Sequence, residues 1–175
     1  MNGTVPEVLR NFRVYEDGVD DMIGLSDVEL PTFEAPTEDI KGPGIAGTIA
    51  APVLGHFNSM ETKFNWRTIL NKNVSLAEPK AHHLDIRGDQ QVYDPKTGEY
   101  KTCAIKVLVV GTPKSTELGK FDMGSTTGTA NTLETSYIKV TIDGKPMVEI
   151  DKYNYVCVIN GVDYLKGSRE ALGLA

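Results

Sequence analysis

The chain has 175 residues, enough for one domain around an ordinary hydrophobic core. It carries 18 Lys and Arg against 24 Asp and Glu, a formal net charge of −6. That balance excludes a protein that wraps nucleic acid, since phosphate binding needs a basic patch, and no apolar run is long enough for a membrane-spanning helix.

The N-terminus, MNGTVPEVLRNF, has no basic start, apolar run or small-residue cleavage site, so folding in the cytosol is expected. Phe12, Val14 and Tyr15 then lead into a turn at Asp17-Gly18. A strand is predicted from Met22 to Leu30, stopped by Pro31. Residues 31–47 hold three prolines and three glycines, which predicts a long excursion outside any packed layer.

Thr48 to Phe57 and Met60 to Thr68 flank Asn58-Ser59 and read as a hairpin. On its second arm Met60, Thr62, Phe64 and Trp66 share one face, and Glu61, Lys63 and Asn65 share the other. Period 2 with one polar face means a strand wet on one side. Ile69 to Ala77 suits a short helix ended by Pro79.

His82 to Val92 and Tyr100 to Val110 form a further predicted hairpin around DPKTGE, its second arm the most apolar run of the chain. Thr112 to Leu133, rich in Thr, Ser and Gly, reads as extended or looped. The clearest hairpin is KVTIDGKPMVEID, where Asp143-Gly144 supplies the positive φ angles of a tight turn. Tyr155 to Ile159 adds a strand. Asp163 is placed to cap a helix from Tyr164 to Leu172, with Gly173 after its end. The expected whole is one mainly β domain over 1–175, with an extended loop at 31–47 and a C-terminal helix at 163–173.

Chemical candidates are few. His82, His83 and Asp85 are the nearest approach to a metal cluster. Adjacent strand side chains point to opposite faces, and two ligands make no site, so a solvated strand start is favoured over a metal. Asp17, Asp20 and Asp21 lack the spacing and closing glutamate of a calcium loop. GSTTGT at Gly124 to Thr129 resembles a phosphate loop but has no lysine and precedes no helix. Three histidines, His56, His82 and His83, stand beside no particular nucleophile. Cys103 and Cys157 lie in apolar strand patterns and read as buried free thiols rather than a redox pair. No enzyme, metal or cofactor is expected. One-sided hairpins leave wet faces and open edges, which favours an assembly protein.

Three blocks carry a resemblance to a known family. They are PEVLRNFRVYEDG with DVELP (Pro6 to Pro31), the glycine-rich loop leading through APV to METKF (Ala51 to Phe64), and Tyr137 to Leu174 with its IDG turn, EID, INGVD and ALGL. Together they resemble the major tail tube proteins of contractile-tailed bacteriophages and of the phage-tail-like bacteriocins derived from them. Leu54, Gly55 and His56 stand where relatives often carry an acidic residue.

The resemblance implies a β-sandwich or half-barrel subunit similar to the tube protein of type VI secretion, with no catalytic residue and no cofactor. It implies hexameric rings stacked into a hollow tube that lies in the virion tail and is assembled in the host bacterial cytoplasm. Its partners would be copies of itself, the tail sheath, a baseplate hub or tube initiator, a tape measure protein and a tail terminator. DNA would pass through the lumen without specific binding. Glu61, Lys63 and Asn65 are the expected lumen-facing residues, on the hairpin Thr48 to Thr68. Leu9 and Phe12, with Glu38, Ile40, Lys41, Gly42, Pro43, Gly44 and Ile45 of the loop, are the expected contacts between subunits or rings. Lys166, Arg169 and Glu170 of the C-terminal helix are expected on the outer wall, toward the sheath. A toxin-injection device is the nearest alternative, and a monomeric β-sandwich binding module a further one.

Overall fold

The computed structural model describes residues 3–174. Twelve strands and two short helices follow one another. They are β1 (Val5–Glu16), β2 (Asp20–Asp21), β3 (Leu25–Glu29), β4 (Thr37–Ile40), β5 (Ile49–Pro52), β6 (Glu61–Trp66), α1 (Asn71–Ser75) and β7 (His82–Asp94). Then come β8 (Glu99–Glu117), β9 (Thr129–Ile142), β10 (Lys145–Asp151), β11 (Val156–Ile159), β12 (Val162–Asp163) and α2 (Lys166–Ala171). The fold is mainly β and antiparallel, as expected.

Local turn chemistry builds the sequential hairpins. Asp143 and Gly144 sit at φ 47° and 77°, and this positive pair matches the right-handed twist of β9 and β10. Asn160-Gly161 repeats the device between β11 and β12. β7 and β8 pair in unbroken register from His82–Gly111 to Asp94–Glu99.

The long-range organisation turns on β9. One of its edges is lined throughout by β8. The other edge is shared, with β6 taking Thr129 to Glu134 and β10 taking Tyr137 to Ile142. Between them Ser136 is bulged, since Val110 faces Tyr137 while Gly111 faces Thr135. The sheet therefore folds over on itself into a four-strand layer, β3-β6-β9-β8, and a larger layer, β12-β11-β10-β9-β8-β7-β1-β2. The core joins Met60, Phe64, Trp66 and Leu133 from the first layer to Val14, Leu84, Val107, Val109, Ile138 and Ile150 from the second. Phe64 is wholly buried, and cutting it to alanine would cost about 3–5 kcal/mol.

Several expectations are corrected. Thr48 to Phe57 is not the partner of Met60 to Thr68. β5 pairs with β4 in a separate two-stranded ribbon, and β6 pairs with β3 and β9. The loop 31–47 thus holds one strand of that ribbon. The strand predicted from Met22 to Leu30 is shorter, because Ile23 and Gly24 form a turn before Leu25. Thr112 to Leu133, read as extended or looped, is both: the end of β8 and the start of β9 are strand, and residues 118–128 connect them. Both helices are shorter than predicted. Asp163 does not cap α2 directly; its Oδ1 accepts the Leu165 N–H at 3.1 Å in a turn just before the helix.

His82 is not solvated. It is buried, with Nδ1 2.6 Å from Glu16 Oε1 and Nε2 3.1 Å from the Glu78 carbonyl. Cys103 and Cys157 are buried free thiols, and burial pushes both thiols up. Within one chain the described strands form an open sheet that does not close into a barrel.

Candidate functional site

β6 alternates strictly. Thr62, Phe64 and Trp66 are buried, while Glu61, Lys63 and Asn65 point away from the core. The sequence-predicted polar face is therefore real, but it sits in the middle of the four-strand layer rather than on a hairpin with β5. Its partners come from both flanks. Asn65 Nδ2 donates to Asp27 Oδ1 at 2.6 Å and to Glu29 Oε1 at 3.0 Å on β3. Lys63 lies 3.8 Å from Glu117, and Lys114 pairs with Glu61, both across to β8.

Lys114 also approaches Glu134 Oε2 at 3.5 Å, and the Ser59 hydroxyl donates to the same oxygen at 2.5 Å. The bond to Glu61 holds the Lys114 ammonium above its ordinary value. Burial works to raise Glu134, but bonds from Ser59 and the Met60 N–H, with Lys152 and Lys114 nearby, leave it lowered. These half-exposed pairs add little stability. Their effect is electrostatic. Both lysines of the face are engaged by carboxylates, and Asp27 and Glu29 meet neutral donors, the Asn65 amide and, for Asp27, the Ser26 hydroxyl. The outer face of this layer is wet and net acidic.

The layer also ends in open edges. β3 takes no strand on the side away from β6. β8 loses its β7 partner beyond Gly111, so Thr112 to Glu117 is unpaired on the side away from β9. β1 is unpaired along Val5 to Arg13 on the side away from β7. All three statements hold among the described residues. Such edges are templates for another chain.

The predicted contact residues fall into two groups. Leu9 and Phe12 of β1 line an open apolar groove with Val28, Leu30 and Ile105, beside the free edge of β3. The others belong to the ribbon. Glu38 and Ile40 are exposed on β4, and Lys41, Gly42, Pro43, Gly44 and Ile45 form its tip. Ile40 faces Ile49 across the ribbon and both are about half exposed. A two-stranded ribbon with no further strand partner is marginal in water by itself.

On α2, Lys166 and Glu170 are exposed, 4.0 Å apart. Arg169 is instead spent internally, bonded to Asp163 and, at 2.7 Å, to the Tyr155 carbonyl. Its guanidinium holds the Asp163 carboxyl below the usual range.

Sequence reasoning missed one surface. The loop 118–128 carries Phe121 at 90% and Met123 at 100% exposure. The apolar residues there stand in the sequence, but with Thr112 to Leu133 read only as extended or looped nothing places them at a tip. Among the described residues no group of three or more His, Cys, Asp or Glu is arranged for a metal, and no helix is long and apolar enough to cross a membrane.

A tail tube protein of Escherichia phage P2 is 27% identical over 176 residues, covering 97% of this chain and 99% of the phage protein. A major tail tube protein of Serratia phage KSP20 is 23% identical over 97% of this chain and 98% of its own. Among solved structures, a chain of the six-fold symmetrised anti-feeding prophage baseplate matches 79% of this chain and 95% of its own. That match has 14% identity and a TM-score of 0.37, too low for a common fold to be read from it. The profile of the family described as phage tail tube protein FII spans residues 6–173. With nearly its whole length matched, the chain belongs to the phage tail tube protein FII family.

Proposed function

We propose that this chain is the repeating subunit of the inner tube of a contractile phage tail. Rings of six copies stack into a hollow tube that conducts DNA and is driven through the host envelope when the sheath contracts. The observation that carries the reading is the pair of open edges on the four-strand layer, in a chain whose family is tail tube protein.

Directions alternate along β3, β6, β9 and β8, so the free edge of β8 runs opposite to that of β3. Rotating one copy about an axis brings Thr112 to Glu117 of one beside Leu25 to Glu29 of the next, antiparallel and similar in length. Such a head-to-tail contact closes into a ring and removes both edges. The acidic faces then line the bore, with Glu61, Lys63 and Asn65 at its wall. A net-negative, hydrated wall offers phosphates no basic track, and DNA slides past.

Leu9 and Phe12 serve the sideways contact, and the ribbon tip, from Glu38 through Lys41, Gly42, Pro43 and Gly44 to Ile45, reaches a neighbouring copy. Lys166 and Glu170 of α2 lie on the outside, toward the sheath protein, with Arg169 anchoring the helix. The remaining partners are a baseplate hub or initiator, a tape measure protein and a tail terminator, and the assembled protein resides in the virion tail. The role is structural, with no chemistry asked of any side chain.

Negative-stain microscopy of concentrated, purified full chain tests the reading. Rings and tubes are expected. Single molecules at every concentration, even with the tail initiator added, would overturn it.

A further inference from the structure

The connection 118–128 joins β8 to β9 at one end of the four-strand layer, where Leu25 faces Trp66, Trp66 faces Thr129 and Glu117 faces Ala130. At the other end of the same strands, Glu29 faces Lys63 and Glu61 faces Glu134. The chain leaves that second end at Leu30 to build the β4–β5 ribbon. Two exposed apolar groups, the Phe121–Met123 tip and the Ile40–Ile49 pair of the ribbon, are thus attached at opposite ends of one set of strands.

The tip is rigidly made. The Lys120 N–H donates to the Thr127 carbonyl at 2.8 Å, and the Ser125 N–H to the Asp122 carbonyl at 3.1 Å. The Thr127 N–H in turn donates to the Arg67 carbonyl at 2.9 Å, tying the tip to β6. Gly119 sits at φ +81°, and a Cβ there would stand 1.9 Å from the Thr127 carbonyl oxygen. Only glycine allows this close closure. A backbone so constrained holds Phe121 and Met123 in water with mainly side-chain rotamer freedom, and little backbone freedom, left to lose on binding. Large apolar side chains presented in this way are binding anchors.

We infer that the Phe121–Met123 tip docks against the β4–β5 ribbon of a second copy in the adjacent ring, and that this is the apolar half of the ring-to-ring joint. The inference rests on the tube reading above. With the strands running along the tube axis, a contact between their opposite ends repeats by translation along that axis, so it propagates without closing, as a stacked tube requires. Charge does not oppose it. Lys120 of the tip lies 3.8 Å from its own Asp122, leaving the tip near neutral, and the ribbon carries Glu38 and Asp39 against Lys41. Ile40 and Ile49 supply an apolar surface that the ribbon's own chain leaves half open.

Two measurements on the full chain test it. Phe121→Ser with Met123→Ser is expected to leave the circular dichroism spectrum unchanged, since both side chains are solvated in the subunit. The sedimenting polymer should fall by about tenfold or more, the loss of one anchor. A photo-crosslinker replacing Phe121, in tubes mixed from isotopically light and heavy subunits, should label residues 37–52 of another copy. Wild-type tubes with variant tubes of equal yield, or labelling confined to other segments, would overturn this inference alone. Wild-type protein that never polymerises would overturn the tube reading and this inference with it.

Discussion

The indole N–H of Trp66 donates to Asn131 Oδ1 at 2.9 Å in the interior of the molecule. Asn131 Nδ2 in turn donates to the Asn73 carbonyl at 3.0 Å and to Thr116 Oγ1 at 3.1 Å. One amide therefore binds β6, β9, α1 and β8 together at the end of the layer that carries the 118–128 connection. Replacing it with leucine, a side chain of similar size, leaves the Trp66 N–H and the Asn73 carbonyl without partners. Asn131→Leu should destabilise the subunit by about 3 kcal/mol, read from urea unfolding. A loss under about 1 kcal/mol would mean the clasp is not structural.

The Tyr137 phenol gives an alkaline signature. Burial first, and then its bond to Glu149 Oε1 at 2.9 Å, push it up to about 12. A folded-state value raised above the ordinary 10.0 means that the phenol's contribution is complete below 10.0 and is lost as pH climbs through about 12. Wild-type stability should fall across that window. Tyr137→Phe should flatten this part of the profile, and matching profiles for the two proteins would refute the assignment.

The ribbon should be dispensable for folding, because β4 and β5 pair only with each other. Deleting Ile40 to Gly47 is expected to give folded, soluble subunits with a thermal transition close to wild type and no tubes under the electron microscope. Intact tubes from this variant would remove the ribbon from the assembly contact.

Charge reversal on the acidic face should be felt by DNA rather than by the fold. Glu61→Lys removes one of the two carboxylates beside Lys114 and adds a third ammonium to the face. Assembled variant tubes should retain DNA in a salt-sensitive way that wild-type tubes do not, and phage carrying the variant should eject slowly. Normal ejection kinetics would place Glu61 away from the bore.

Much of the β architecture could be read from the chain because it is local. The Asp143-Gly144 turn, the alternation along β6 and the DPKTGE hairpin are each set within about a dozen residues, where pattern and turn chemistry act together. What escaped is non-local or polar inside. β6 finds its partner β9 about seventy residues on, so the nearby turn signal at Asn58-Ser59 pointed instead to β5. β9 buries Thr129, Asn131, Thr132 and Thr135, and the Thr62 and Thr135 hydroxyls lie 2.7 Å apart in the core. A strand whose hidden face is hydroxyl and amide shows no hydrophobic period, so residues 112–133 gave no firm reading. His82 likewise is buried only because Glu16, on a distant strand, is there to meet it. For the candidate site, the three β6 residues could be named from alternation, but their partners on β3 and β8 could not.

β8 and β9 each run through both layers as single strands, bent at Ser136 but never cut. A push on the larger layer therefore reaches the four-strand layer along covalent backbone, and shear between the layers does not fall on side-chain contacts alone. In the proposed tube, mechanical weakness is thereby displaced from the body of each brick to the mortar between bricks, so an overstressed column should part at its joints with the individual pieces still whole.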